Sequence, residues 1–295
     1  MDVVLIYNGL GNQMSQYSLY LRKKTEGQNV RYICLNTAHN GIELGRLFGI
    51  DVRMRLLDHI LILLYHFIST DKLPVLFKPV QGLLSLMGVS VLREEGSYAF
   101  NAGAVLQGTN KLRFLSGGWH HYEYFTVIED KVRAAFQFPN IMDERNVEVI
   151  KESMASNAVA IHVRRGDFLD KNNYEKFGKV CSQDYYRRAL KIVSENIEDP
   201  SFFVFTNDIA WSRSFFENKK VKFVDWNTSV NSWKDLYLMS CFKNIIIANS
   251  TFSWWAAWLG KENNMKGAVL CPSKFVSSES SAEESIYPKR WCKVN

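Results

Sequence analysis

The sequence lacks a cysteine framework. Its 295 residues include five cysteines, Cys34, Cys181, Cys241, Cys271 and Cys292, and no two of them form a Cys-x-x-Cys pair. An odd number of widely spaced cysteines predicts neither a disulfide-stapled domain nor a zinc site. We therefore expect reduced thiols and a cytoplasmic protein.

The sequence also lacks a long hydrophobic run. The longest apolar stretch, 56–68, has about 13 residues, includes Asp58 and His66, and is shorter than the roughly 20 residues that span a bilayer. The apolar run after Met1 is too short for a signal peptide and has no basic flank. These patterns predict a soluble chain and leave peripheral contact with the inner, cytoplasmic membrane open.

Charge is not concentrated in blocks. The net charge is +6 and the isoelectric point is about 8.9, which favours a polyphosphate ligand, an anionic membrane surface or nucleic acid. Because the basic residues are scattered, we expect no nucleic-acid partner. There is no Gly-Lys-Ser/Thr run and no Asp-x-Asp pair, so the sequence predicts neither a P-loop NTPase nor a metal that holds a nucleotide diphosphate.

What is present is an alternation of strands and helices. From residue 158 to 271, five short apolar segments alternate with four helical patterns, as in a doubly wound parallel sheet. The first half begins strand-helix-strand, is mainly helical over 40–95 and is mixed over 96–125. The sequence predicts an α/β protein with two Rossmann-like domains facing across a cleft, 1–153 and 154–295.

The most informative segment is His162-Val163-Arg164-Arg165-Gly166-Asp167, which runs off the end of a predicted strand. Ligands of open α/β sheets bind just beyond such ends, and a guanidinium matches a phosphate with two parallel hydrogen bonds. Asp167 could orient an arginine or accept a proton. The alternative is a surface arginine pair with a helix-capping aspartate.

A second segment, Asn249-Ser250-Thr251-Phe252-Ser253, leads from a strand into a helix. The free N–H groups of a helix start bind anions, although these hydroxyls could equally be simple caps. Trp254, Trp255 and Trp258 follow and favour core packing over a sugar platform.

Three further polar positions stay ambiguous at this stage. Asn207-Asp208 at a strand end could bond a ribose or base edge, or form a capping turn. Asp235 could accept two hydrogen bonds from guanine, or simply complement a helix dipole. Asn8-Gly9-Leu10-Gly11-Asn12-Gln13 would let a ligand approach the backbone, but lacks the third glycine of a dinucleotide fingerprint.

Taken together, these segments resemble the α-1,2-fucosyltransferases of glycosyltransferase family eleven. The resemblance rests on Gly9–Met14 followed by Gln16-Tyr17, on His162–Phe168, on Phe205–Asp208 with Trp211, and on Asn249–Leu259, four motifs in the family's order. Ser15, Thr206 and Thr251 are small departures from its pattern.

The resemblance implies a GT-B fold, a GDP-β-L-fucose donor, no metal cofactor, and inverting transfer of fucose to the 2-hydroxyl of a terminal β-galactose on an oligosaccharide acceptor. It implies that Arg164 stabilises the leaving diphosphate. The other donor-side positions it implies are His162, Arg165, Asn207, Asp208, Asp235, Asn249, Ser250, Thr251, Phe252 and Ser253. The acceptor-side positions are Asn8, Gly9, Gly11, Asn12, Gln13, Trp119 and His120.

Several points stay open from the sequence. The general base could be Asp167, His120, His121 or Glu123, or the leaving phosphate itself could take the proton. The acceptor glycan, the oligomeric state and a role in capsule or O-antigen synthesis are undetermined. Another linkage, another nucleotide sugar, or a non-catalytic sugar-binding module are the competing interpretations.

Overall fold

The computed structural model describes residues 1–35, 40–70, 77–94, 96, 98–155, 157–217, 219–260, 267–278 and 285–295. The chain forms two compact units, Met1–Phe138 and Pro139–Asn295. The division falls before the helix Glu144–Ser153, whereas the sequence predicted it after that helix. The helix packs against the first strand of the second unit, and the buried side chain of Asn146 bonds to Asn227, so it belongs to that unit.

The first unit contains one parallel sheet. Its strands within the described residues are β1 (Asp2–Ile6), β2 (Val30–Cys34), β3 (Val89–Arg93) and β4 (Leu112–Ser116), in the order β2-β1-β4-β3. Its α-helices are α1 (Leu10–Thr25), α2 (Leu44–Phe48), α3 (Leu56–Ser69), α4 (Lys78–Leu86), α5 (Ala102–Val105) and α6 (Glu129–Ala135). The 3₁₀ turns Tyr122–Tyr124 and Thr126–Ile128 precede α6.

The burial of each strand follows its position in this sheet. β1, whose sequence Asp-Val-Val-Leu-Ile is almost wholly apolar, is buried along its full length between β2 and β4. β3 lies at the sheet edge and is only half-buried. The prediction of mainly helical structure over 40–95 is wrong at β3, because a partly exposed edge strand has a weak apolar pattern.

The second unit contains a six-stranded parallel sheet in its described residues. Its strands are β5 (Ala158–Val163), β6 (Ser201–Thr206), β7 (Val221–Val224), β8 (Asn244–Ile246), β9 (Val269–Pro272) and β10 (Cys292–Val294), in the order β10-β9-β8-β5-β6-β7. Its α-helices are α7 (Glu144–Ser153), α8 (Lys171–Asn173), α9 (Gln183–Asn196), α10 (Ile209–Phe215), α11 (Trp233–Ser240) and α12 (Thr251–Leu259). A 3₁₀ turn (Gly166–Leu169) and a π-turn (Tyr174–Gly178) flank α8, and another 3₁₀ turn (Ser229–Asn231) precedes α11.

The core of this unit forms because strands and helices bury complementary faces. β5 is buried along its whole length. In α9, Tyr186, Ala189, Leu190 and Val193 lie on one buried face against the sheet. The doubly wound arrangement predicted for 158–271 is present, and β10 adds a sixth strand.

Candidate active site

The strand order of the second unit creates a topological switch point between β5 and β8. From β5 the chain adds β6 and β7 on one side, and then returns to add β8 and β9 on the other. All these pairs are parallel, so the carboxyl ends of β5 and β8 are neighbours. Ligands of open α/β sheets bind at such a point, and both predicted donor segments follow these two strands.

His162 and Ser253 connect the two segments. The Nδ1 atom of His162 lies 2.8 Å from the Oγ atom of Ser253 in α12, and both residues are buried. The Tyr186 hydroxyl donates to the carbonyl oxygen of His162 at 3.1 Å. Burial, helped by the charge of Arg164, lowers the pKa of His162 to about 3. A neutral imidazole therefore fixes the start of α12 against the end of β5.

Arg164 extends beyond the strand and is held by Asp167. One guanidinium nitrogen lies 2.9 and 3.0 Å from the two carboxylate oxygens of Asp167, and the side chain lies 5.7 Å from the Phe168 ring centre. The Arg164 side chain is 29% exposed. An arginine braced in this way presents its remaining N–H groups in a defined direction, because pairing restricts its rotamers.

Arg165 turns toward the end of β6. Its Nε atom lies 3.2 Å from an oxygen of Asp208, and its guanidinium lies 4.3 Å from the centre of the Trp211 ring. The backbone N–H of Arg165 donates to Asn207 at 2.9 Å. A Cβ atom on Gly166 would lie 2.6 Å from the Asn207 amide nitrogen, so any larger residue here would displace the side chain that accepts from Arg165.

Asp208 also caps a helix, because its carboxylate accepts from the backbone N–H of Trp211 at 3.2 Å. The predicted capping turn is thus present, and the same side chain pairs with Arg165. In this geometry Asn207 and Asp208 shape the loop that carries the arginines.

The segment after β8 is fixed mainly by Asn249. Its amide nitrogen donates to the carbonyl oxygens of Phe177 and Phe275 at 3.0 and 3.1 Å. Ser250 is the N-cap of α12 and accepts from the N–H of Phe252 at 3.4 Å, and Thr251 is the first helical residue. The three tryptophans that follow, Trp254, Trp255 and Trp258, are buried, which confirms core packing.

Asp235 lies in a different polar cluster. The amide nitrogen of Asn227 donates to Asp235 at 2.7 Å and to Asn146 at 2.9 Å, and the Trp226 indole also donates to Asn146 at 2.9 Å. Burial raises the pKa of Asp235 to about 7. Asn146 was not singled out in the sequence, because nothing in α7 indicates its partner about 80 residues away.

The sheet of the first unit has a similar switch point at β1. β1 pairs with β2 on one side and β4 on the other, so the loops after β1 and β4 are neighbours. The buried side chain of Gln16 joins them: it accepts from the N–H of Tyr7 and donates to the carbonyl of Gly117, each at 2.9 Å. The predicted acceptor-side residues after β1 and β4 are therefore brought together.

The loop after β1 is held mainly by Gln13. Its amide nitrogen donates to the carbonyls of Asn8 at 2.7 Å and Gly41 at 2.9 Å, and its oxygen accepts from the N–H of Glu43. Asn8 is exposed and has a positive φ of 68°. Of the predicted residues here, Gly9 and Asn12 are half-buried, whereas Gly11 and Gln13 are buried.

Glu94, at the end of β3, is a residue that the sequence analysis missed. Its carboxylate accepts from the backbone N–H groups of Gly118 at 2.6 Å and Trp119 at 3.0 Å. Trp119 has a φ of 53°, rare for a bulky side chain. His120 is buried with Nδ1 at 3.0 Å from the Ser15 hydroxyl. The sequence signal for Glu94 is an acidic residue directly after a strand, but the sequence analysis did not predict β3.

The described residues offer neither a metal-binding cluster nor a membrane-spanning helix. They contain no group of three or more histidine, cysteine, aspartate or glutamate side chains that could hold a metal ion. Among them, no helix is both long and apolar enough to cross a bilayer.

Comparison with known families assigns the chain. The model of the family described as Glycosyl transferase family 11 matches residues 103–295, more than half of the sequence and all of the second unit. The chain belongs to glycosyl transferase family 11. The resemblance inferred from the four motifs is thereby confirmed at the level of the family.

This family-11 chain is similar to several named transferases. It is 29% identical to an alpha-1,2-colitosyltransferase of Escherichia coli over 99% of this chain and 98% of that protein. It is 33% identical to the O-antigen biosynthesis glycosyltransferase WbnK of Escherichia coli over 43% and 42% of the two chains. It is 28% identical to galactoside alpha-(1,2)-fucosyltransferase 1 of Leontocebus fuscicollis over 61% and 52%.

Among solved structures, the family-11 chain is similar to NodZ alpha-1,6-fucosyltransferase co-crystallized with GDP. The TM-score is 0.51 at 11% sequence identity, and the match covers 87% of this chain and 91% of NodZ. This likeness, with the two parallel sheets, confirms the predicted GT-B fold class.

Proposed function

We propose that this protein transfers L-fucose from GDP-β-L-fucose to the 2-hydroxyl of a terminal β-galactose, with inversion at the anomeric carbon. One observation carries the proposal: Arg164, braced by Asp167, follows β5 at the switch point, where His162 of the same segment contacts Ser253 of α12, in a family-11 chain. The names of the relatives, which include alpha-1,2 transferases of two sugars, support the linkage.

The chemistry follows from where charge grows. As the bond between fucose and the diphosphate breaks, negative charge develops on the phosphate and positive charge on the sugar ring. Arg164 would neutralise the phosphate, and the free N–H groups at Ser250 and Thr251 would add hydrogen bonds. Because Asp167, His162 and Ser253 already fix these groups, little reorganisation is needed at the moment of reaction.

Asp167 has a positioning role in this scheme. Both of its oxygens lie against Arg164, so the geometry favours orientation of the guanidinium over proton abstraction. Its assignment as general base stays a prediction, together with His120, His121, Glu123 and the leaving phosphate. A pH–rate profile of Asp167→Asn tests it: a base would lose its acidic limb, whereas a brace would lose rate at every pH.

Colitosyl transfer is a second candidate, because the colitosyltransferase matches nearly the whole of this chain. Colitose is fucose without the 3-hydroxyl. A site built for fucose leaves a hydrogen-bonding group unpaired when colitose binds, which lowers kcat/KM. Comparing kcat/KM for GDP-fucose and GDP-colitose with one galactoside acceptor decides between the two donors.

The central experiment uses lactose and Gal-β1,3-GlcNAc as acceptors, with linkage analysis of the product. We expect fucose on the 2-hydroxyl of galactose. The Arg164→Ala variant should lose about 10²–10³ in kcat, as on removal of one preorganised donor. Arg187→Ala, at an exposed pair with Asp184, is the matched control and should keep the rate. Full activity of Arg164→Ala would refute the role of this arginine.

The proposal also requires no divalent metal, because Arg164 and the N–H groups of α12 supply the positive charge. Dialysis against a chelator, followed by assay with and without added magnesium or manganese, should leave the rate unchanged. A rate that falls with the chelator and returns with the metal contradicts this part of the proposal.

A further inference from the structure

Two neighbouring helices of the first unit carry an apolar surface. Ten of the sixteen large hydrophobic side chains exposed in the described residues lie between positions 54 and 87. We define the apolar face as Leu56, Ile60 and Leu63 of α3 with Val80, Leu83 and Leu86 of α4. Leu56 is 79%, Leu63 72% and Leu86 85% exposed. Single exposed apolar residues are ordinary, whereas many of them on two helices that contact each other mark an interaction surface.

α3 is apolar on both of its sides. Leu61 is buried and packs in the core with Val3 and Phe114. Leu56, Ile60 and Leu63, spaced four and three residues apart, form the exposed stripe on the opposite side. His59 and His66 are also exposed, so the outer side of α3 combines this apolar stripe with two imidazole side chains and no charged carboxylate or amine.

α4 is joined to α3 by one side chain. The amide nitrogen of Gln81 donates to the carbonyl oxygens of Phe67, Ile68 and Thr70 at 3.3, 3.0 and 3.2 Å. The rings of Phe67 and Phe77 also meet edge to face at 6.3 Å. These contacts hold the two helices as neighbours, and each contributes three members of the apolar face.

Exposed basic side chains lie at both ends of both helices. Arg53 and Arg55 precede α3, and Arg93 donates to the carbonyl of Ser69 at its end. Lys78 is the first residue of α4. The exposed side chain of Lys111 passes beside Gly88, just after the end of α4.

Acidic groups offset only part of this charge. Asp51 pairs with Arg53 and Arg55, at 2.8 and 3.7 Å. Asp58 is buried and pairs with Arg31. Between residues 52 and 93, the described part of the chain has no exposed acidic side chain. The apolar face thus has a basic border.

We propose that the apolar face docks on an anionic phospholipid bilayer, with α3 and α4 lying in the interfacial region. α3 has 14 residues and extends about 21 Å, less than the ~30 Å hydrocarbon core, so it would lie along the surface. Leucine and isoleucine side chains would enter the acyl boundary while arginine and lysine meet the headgroup phosphates. A second copy on this face would instead bring two basic borders together. This proposal is independent of the donor and the acceptor.

The test is co-sedimentation of the full chain with vesicles of phosphatidylglycerol and phosphatidylcholine, and with vesicles of phosphatidylcholine alone. We expect binding to the anionic vesicles that weakens with salt. Leu63→Gln/Leu86→Gln should lower the partition coefficient about tenfold or more. Val127→Gln/Met142→Gln is the control, because those side chains are 70% and 84% exposed outside the apolar face. Thermal unfolding should be alike in all three proteins.

A measurement on the unmodified protein guards against variants that do not fold. Hydrogen exchange of the backbone amides in α3 and α4 should slow when anionic vesicles are added, while exchange in α9 stays constant. Three results would overturn the proposal: no binding by the unmodified protein, equal binding by the apolar-face and control variants, or a dimer in sedimentation velocity that the apolar-face variant dissociates.

Discussion

Burial disfavours the charged forms of two ionisable side chains in the second unit. Burial lowers the pKa of His162 to about 3 and raises that of Asp235 to about 7. Both shifts have the same origin, since desolvation penalises the charged form of either group. His162 is therefore a neutral hydrogen-bonding partner of Ser253 at neutral pH, whereas Asp235 is near the midpoint of its titration.

The raised pKa of Asp235 makes the stability of the protein depend on pH. Between pH 5 and pH 8 the folded form loses a proton that the unfolded form has already lost, so this contribution to stability falls as the pH rises through about 7. Relative to Asp235→Asn, the unmodified protein should lose about 2–3 kcal/mol across that range. Urea unfolding at several pH values measures it, and Asp184→Asn, an exposed position, controls for the change of charge. If the free energy of unfolding changes with pH in the same way for the unmodified protein and Asp235→Asn, the raised pKa of Asp235 is contradicted.

Sequence patterns indicated polar residues near the ends of strands. They did not indicate residues whose hydrogen-bond partners are distant in sequence. His162, Arg164 and Ser253 were singled out because each lies at or directly beyond the end of an apolar strand, or at a helix start. Asn146 and Glu94 were missed because their partners lie 81 and about 24 residues away in sequence. Local patterns carry no information about such contacts.

At the scale of elements, Asp208 both caps α10 and pairs with Arg165 in the loop after β5. Asp208→Ala should destabilise the protein by about 1 kcal/mol through loss of the α10 cap. Asp208→Asn keeps a capping oxygen and should keep most of that stability. Both variants remove the ion pair with Arg165, so both should reduce transfer. Urea unfolding and initial rates separate the two effects, and equal destabilisation by alanine and asparagine would argue against the cap.

Element boundaries followed the strength of the apolar pattern. β5 and α9 were predicted with the bounds that the structure has, since a fully buried strand and a strongly one-sided helix leave clear periodicities. β3 and β10 were not predicted. Each is a short edge strand with an exposed side, and partial burial leaves little alternation to detect.

At the scale of the whole molecule, the place where the two units divide can be tested by fragments. A chain of 139–295 retains α7, whose Val149 is buried and whose Asn146 bonds to Asn227 and Trp226. A chain of 154–295 would leave those buried polar groups unpaired, at about 1–3 kcal/mol each. We expect cooperative urea unfolding, measured by near-ultraviolet circular dichroism, only for the longer fragment. If the two fragments unfold with equal urea midpoints, the result would instead support a division between the units at residue 153.

The distribution of indole rings has a consequence for how this protein can be studied. Seven of its eight tryptophans lie in Pro139–Asn295, and Trp119 alone belongs to the first unit. Tryptophan fluorescence therefore reports almost entirely on the second unit. In a Trp119→Phe variant it would report on that unit alone. Setting that optical signal against far-ultraviolet dichroism, to which both units contribute, would reveal whether the halves melt together or in sequence.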